Sequence, residues 1–185
     1  MPPTDTTIKF KATLHKPVEN SSEGWTFLRL PQDASDKLPT RSMVSVEGTI
    51  NNSPFTATLQ PDGKGGHWLK VSKNLCKSSK TKAGDQLTLE IAPCEVEPEP
   101  EVPDDLQQAL NDHPDAQPAW HKTTAIARRD WISWITSGKK AETRTKRIET
   151  AMDMMSKGKK RPCCFDRSGM YSNTLNCPVA ADVIE

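Results

Sequence analysis

Apolar side chains recur at every second position over the first half of this chain, and at every third or fourth position after residue 103. No other feature constrains the fold as much. A period of two places alternate side chains on one face of a strand, whereas a period of about 3.6 lines one face of a helix. Ile8, Phe10, Ala12 and Leu14 share a face in the first run. Trp25–Leu30 forms a second run that stops at Pro31, which cannot donate to a ladder. Further runs are marked by Val44, Val46 and Ile50, by Phe55, Ala57 and Leu59, by Trp68–Val71, and by Leu87, Leu89 and Ile91. Asn51-Asn52 joins two of them and suits the positive φ of a tight hairpin. About six short strands this close together predict a barrel, since closure removes the edges that so few strands would expose.

The period changes across Glu95-Val-Glu-Pro-Glu-Pro-Glu-Val-Pro103, an acidic, proline-rich segment that reads as an extended linker. Beyond it, Asp104 or Asp105 can cap a short helix carrying Leu106, Ala109 and Leu110. Trp120, Thr124, Ala127, Trp131, Trp134 and Ile135 then follow helical spacing up to Gly138. A last helix begins near Lys140, carries Ile148, Ala151, Met152 and Met155, and ends before Gly158. Glu142 and Lys146 are ordered for an i,i+4 pair. The fold class expected is α+β: a small antiparallel β-barrel over 1–94, a linker over 95–103, a three-helix module over 104–158, and an extended tail over 159–185. Phe165, Met170, Tyr171 and Leu175 could anchor that tail.

Charge is sharply divided. Residues 95–118 hold 8 acidic and no basic side chains, and residues 119–161 hold 12 basic and 4 acidic ones. Such blocks usually mark solvated linkers or partner-binding faces, but neighbouring blocks can also neutralise each other. The N-terminus leads from Met1 into a strand pattern without a basic and apolar leader, and no apolar run is long enough to span a bilayer. The 5 cysteines are odd in number and irregularly spaced, which fits reduced thiols. A cytoplasmic location is the expectation.

Several residues then resemble known families. Gly24-Trp-Thr-Phe27, Leu30-Pro31, Val46-Glu-Gly-Thr-Ile50-Asn51, Pro54-Phe55 and Gly84-Asp85 resemble the bacterial domain of unknown function numbered 1905. Arg128-Arg129, Trp134-Ile135, Glu142-Thr-Arg144 and Lys146-Arg-Ile148 resemble the YdeI/OmpD-associated, or bacteriocin-protection, domain. The resemblance implies a double-split β-barrel followed by a helical part, and it supplies no activity, cofactor or catalytic residue.

Four arginines are the candidate binding groups: Arg128, Arg129, Arg144 and Arg147. Arg144 and Arg147, three apart on a helix, could grip one carboxylate or phosphate. The wider basic surface, Lys139, Lys140 and Lys146 included, could instead track nucleic acid. The adjacent thiols Cys163 and Cys164 lie beside Lys159-Lys160-Arg161, and nearby cations lower a thiol's pKa toward nucleophilic or redox chemistry. The cysteine and histidine spacings suggest no metal site, and carboxylate pairs occur mainly in the linker, where nothing raises a pKa for acid/base work. Gly63-Lys-Gly-Gly66 precedes a strand rather than a helix, so it reads as a hairpin loop rather than a phosphate cradle. The reading is a non-enzymatic binding or stress-protection protein without a cofactor, whose partner is a small anionic ligand or a protein. A nucleic-acid binder and a thiol-dependent enzyme are the alternatives.

Overall fold

The computed structural model describes residues 7–18, 24–138, 140–162, 168 and 177–181. The chain divides into two compact units: residues 1–95 together with 166–185, and residues 96–165. The first is a sheet unit and the second a helical one.

The sheet unit contains β1 (Ile8–Thr13), β2 (Thr26–Arg29), α1 (Gln32–Ser35), β3 (Val44–Ile50), β4 (Ser53–Pro61), β5 (His67–Val71), α2 (Lys73–Ser79) and β6 (Gln86–Pro93). All pairings are antiparallel, in the order β1-β6-β3-β4-β5-β2. The sheet curls until its outer strands meet. His15 and Phe27 exchange backbone hydrogen bonds of 2.7 and 2.9 Å, which joins the β1 end of the sheet to β2. The barrel expected from strand count is therefore present as a curled six-stranded sheet.

The alternation fixes which side chains fill the interior. Leu28, Val46, Ile50, Leu59, Leu69 and Leu89 are essentially inaccessible and belong to one apolar cluster. Asn51 and Asn52 take φ of 46° and 69°, the positive pair that a two-residue hairpin needs between β3 and β4. At Gly48 the backbone of β3 comes so near β6 that an added Cβ would meet the Glu90 carbonyl. His67 is buried at the start of β5. Its ring Nε2 lies 2.9 Å from the Ser42 carbonyl, and its backbone N–H donates to Ser35 Oγ.

Burial lowers the His67 pKa from its ordinary 6.5, because the imidazolium form would lose its hydration. The neutral ring is thus the form that folds. Its contribution to stability is complete above about pH 6.5 and is lost as pH falls below that value toward the depressed folded pKa. Acidification from pH 6.5 should destabilise the sheet unit by at most about 1.4 kcal/mol per pH unit from this residue. In thermal melts a His67→Gln variant should show a shallower decline over that window, and parallel declines would remove His67 as the cause.

The helical unit contains α3 (Asp104–Asp112), α4 (Gln117–Lys122), α5 (Ala125–Thr136) and α6 (Ala141–Ser156). Four helices are described where the sequence suggests three. The continuous spacing from Trp120 to Ile135 hides a break at Thr123, whose ψ is 156°. Thr124 Oγ accepts the Ala127 N–H and so starts a new helix, as threonine does at an N-cap. The cap of α3 also differs from expectation: Pro103 occupies it, and Asp104 and Asp105 sit in the first turn, where carboxylates favour the helix dipole. Trp131, Ile135, Leu106, Ala151 and Met155 form the centre of this unit's own core, with Trp120 at its margin. Trp131 also donates its indole N–H to the Lys160 carbonyl at 3.0 Å.

Part of the tail is described. Residues 177–181 return to the sheet unit, where Val18 N–H bonds the Val179 carbonyl and Ala181 N–H bonds the Lys16 carbonyl. The proposed anchors Phe165, Met170, Tyr171 and Leu175 lie outside the described residues, as does Lys139.

Candidate functional site

Each of the four candidate arginines already has a partner within the helical unit. Arg128 bonds both carboxylate oxygens of Glu99, at 2.6 and 2.7 Å, and also reaches the Trp120 and Thr123 carbonyls at the end of α4. One side chain thereby ties the acidic segment to the turn between α4 and α5. Helix-end carbonyls lack partners within their helix, and a guanidinium supplies them. Arg129 bonds Glu97 at 2.7 Å, with both side chains largely buried. Arg144 makes a bidentate pair with Asp105, at 2.5 and 3.0 Å, joining α6 to the first turn of α3. Arg147 bonds the Trp134 carbonyl and Ser137 Oγ at the end of α5, and its guanidinium carbon stands 5.5 Å from the Trp134 ring centre.

Arg144 and Arg147 do not meet on a common anion: the carboxylate that Arg144 grips is Asp105 of its own chain. Of the two readings of the charge blocks, mutual neutralisation describes Arg128, Arg129 and Arg144, whereas Arg147 is held by a carbonyl, a hydroxyl and a ring. The electrostatics follow. Hydrogen bonding from Arg128 holds the Glu99 carboxyl below the usual carboxylate range, and Arg144 does the same for Asp105. The guanidinium pKa values of Arg128 and Arg144 rise in return.

These pairs should differ in strength with burial. The Arg144–Asp105 pair joins a half-buried arginine to an exposed carboxylate and stays open to solvent, so a double-mutant cycle to alanine should give a coupling below about 1 kcal/mol. The Arg129–Glu97 pair is shielded from water, and hydrogen bonds between charged groups there should couple by about 1.5–3 kcal/mol. Urea melts of the single and double variants give both values, and the reverse ranking would contradict this account.

The thiol reading rests on Cys163 and Cys164, which lie outside the described residues. Of the described cysteines, Cys76, Cys94 and Cys177 are free thiols. Cys177 Sγ accepts a bond from Arg29 Nε at 3.1 Å, yet burial outweighs that bond and pushes the thiol pKa up, away from reactivity. Among the described residues no group of three or more histidines, cysteines or carboxylates could hold a metal ion, and no helix is long and apolar enough to cross a membrane.

The sheet unit offers a concave surface that sequence patterning does not reveal. An open groove of about 610 Å³ lies across β3 and β4, lined by Glu47, Gly48, Thr49, Pro54, Phe55 and Thr56. It continues at Thr49 into a second hollow of about 360 Å³ edged by Asn51, Asn52, Thr88 and Glu90. The Glu47 side chain is exposed, whereas Glu90 pairs with Lys9 at 3.3 Å. The groove comes from the registers Glu47–Thr56 and Thr49–Pro54 on the outward face of a bent sheet. A single sequence shows the alternation but not the bend.

No curated protein matches the chain. Two family models do. Residues 10–91 match the Domain of unknown function (DUF1905), and residues 99–158 match the family described as Bacteriocin-protection, YdeI or OmpD-Associated. The matched ranges fall within the sheet unit and the helical unit respectively. The chain thus joins a DUF1905 domain to a bacteriocin-protection, YdeI or OmpD-associated domain, in that order.

Proposed function

We propose that this chain is a non-catalytic binding protein that protects a cell against bacteriocin-type antimicrobial peptides. The observation that carries the reading is the match of residues 99–158 to the bacteriocin-protection family. The chemistry of the β3–β4 groove supports it. Glu47 provides an exposed carboxylate beside the exposed ring of Pro54, a combination suited to a peptide with basic and apolar side chains. Membrane-active peptides are commonly of that kind. In this reading Arg128, Arg129, Arg144 and Arg147 are structural clamps that keep the helical unit in one arrangement, and the ligand is a peptide rather than a small anion.

The test has two parts. Expressing the chain in a sensitive strain should raise the inhibitory concentration of a cationic bacteriocin several-fold. Titrating the purified protein with the same peptide should show saturable binding that Glu47→Lys weakens by about tenfold, as expected when attraction is replaced by like-charge repulsion. Unchanged sensitivity together with no binding would refute the proposal.

A further inference from the structure

While the four candidate arginines of the helical unit are all engaged, a dense group of lysines in the sheet unit is not. Residues 63–84 contain 6 lysines and no acidic side chain. Within this stretch, Lys73 and Lys77 are exposed on α2 and Lys80 is exposed at its C-cap. Lys73 and Lys77, four apart, share one face of the helix, and Lys80 follows three residues later at its C-cap. Lys82 is exposed in the following turn. Among the described residues, no ion pair engages Lys73, Lys77, Lys80 or Lys82. The nearest carboxylate along the chain, Asp85, accepts the Lys82 backbone N–H.

Local structure holds these lysines outward. Ser72 Oγ caps α2 by accepting the Leu75 N–H, and Lys80 ends the helix in the left-handed conformation, φ 55°. Leu75 and Cys76 pack on the sheet core, and Ser79 is buried. The remaining exposed positions of α2 are Asn74 and Ser78. The outward face therefore presents lysine, asparagine and serine, with no apolar side chain among its exposed residues.

We infer that the α2 face, Lys73, Lys77, Lys80 and Lys82, is a binding surface for the phosphate backbone of a nucleic acid. Lysine, serine and asparagine are the side chains that contact phosphates, and contacts of this kind position a strand without reading its sequence. Charge complementarity is the argument for the occupant: four free ammonium groups in ten residues face a polymer carrying one negative charge per nucleotide. An anionic membrane is the weaker candidate, because attachment through one basic patch with no inserted apolar group is marginal. This surface is separate from the β3–β4 groove and would operate whether or not that groove binds peptides.

The experiment is fluorescence anisotropy of the full chain with a short labelled oligothymidylate, run at several salt concentrations. Binding is expected at low salt, with log K falling against log salt at a slope of about −2 to −3 for three or four phosphates. Combining Lys73→Glu, Lys77→Glu and Lys80→Glu should weaken it by at least about tenfold, and the milder combination of Lys73→Gln, Lys77→Gln and Lys80→Gln should weaken it less. Circular dichroism establishes that both variants are folded. An equal charge change in the helical unit, through Lys122→Glu, Lys146→Glu and Lys157→Glu, should leave affinity within about twofold. No binding at low salt would overturn the inference. So would loss of binding only in the helical-unit variant, or binding to phosphatidylserine vesicles but not to the oligonucleotide.

Discussion

Replacing Gly48 by alanine should lower the melting temperature of the sheet unit by roughly 10–20 °C, from a cost of ~2–3 kcal/mol at roughly 4–8 °C each. A Cβ at this position would lie 1.9 Å from the Glu90 carbonyl oxygen and 2.9 Å from both the Glu90 carbonyl carbon and the Ile91 Cα. All three are backbone atoms, so no side-chain rotation can relieve the contact. Gly48 pairs with Phe55 of β4 on one side and Ile91 of β6 on the other, so any shift must separate two ladders of the sheet. The steric cause can be isolated by comparison with Gly84. There φ is +95° but nothing lies within 4 Å of the added carbon, so alanine costs only the backbone strain of about 1 kcal/mol. Thermal melts followed by circular dichroism would compare the two variants. A Gly48→Ala shift no larger than that of Gly84→Ala would mean that β3 and β6 are not held this close.

Gly48 also shows where the sequence is legible. Val44, Val46 and Ile50 mark the inner face of β3, and the gap at 48 in that alternation is the trace of a close backbone approach. The gap can be read, but the partner strand cannot, because pairing order is a long-range property. All six strands and the Asn51-Asn52 turn follow from local patterns. The helices α1 and α2 do not, being too short to establish a period: α2 turns only Leu75 and Cys76 toward the apolar cluster. That omission bears on the inferred binding surface, since Lys73 and Lys77 lie on α2. The arginines show the opposite limit. Charge blocks identify the acidic segment as a possible partner of the basic helices, yet only folding assigns Glu97 to Arg129, Glu99 to Arg128 and Asp105 to Arg144. The β3–β4 groove depends on how the sheet bends, which alternation does not encode.

In the helical unit the largest loss should come from Trp131→Ala, about 3–5 kcal/mol, enough to leave this unit of about 70 residues mostly unfolded at 37 °C. Trp131 is fully buried, packs edge-on against Trp134 with centroids 6.0 Å apart, and donates its indole N–H to the Lys160 carbonyl. Alanine removes all three contributions and leaves a cavity among Leu106, Ile135 and Met155. Phenylalanine keeps an aromatic ring and loses the hydrogen bond, so Trp131→Phe should cost roughly 1–2 kcal/mol. Trp134→Ala should fall between them, because Trp134 is only half-buried and its removal also releases the Arg147 guanidinium from its ring. Urea denaturation followed at 222 nm gives the three values. The order distinguishes a tryptophan that builds the core from one that lines an open pocket. A pocket residue would be replaced by alanine at little cost to the midpoint, so a Trp131→Ala loss below that of Trp131→Phe would assign the ring to ligand contact instead.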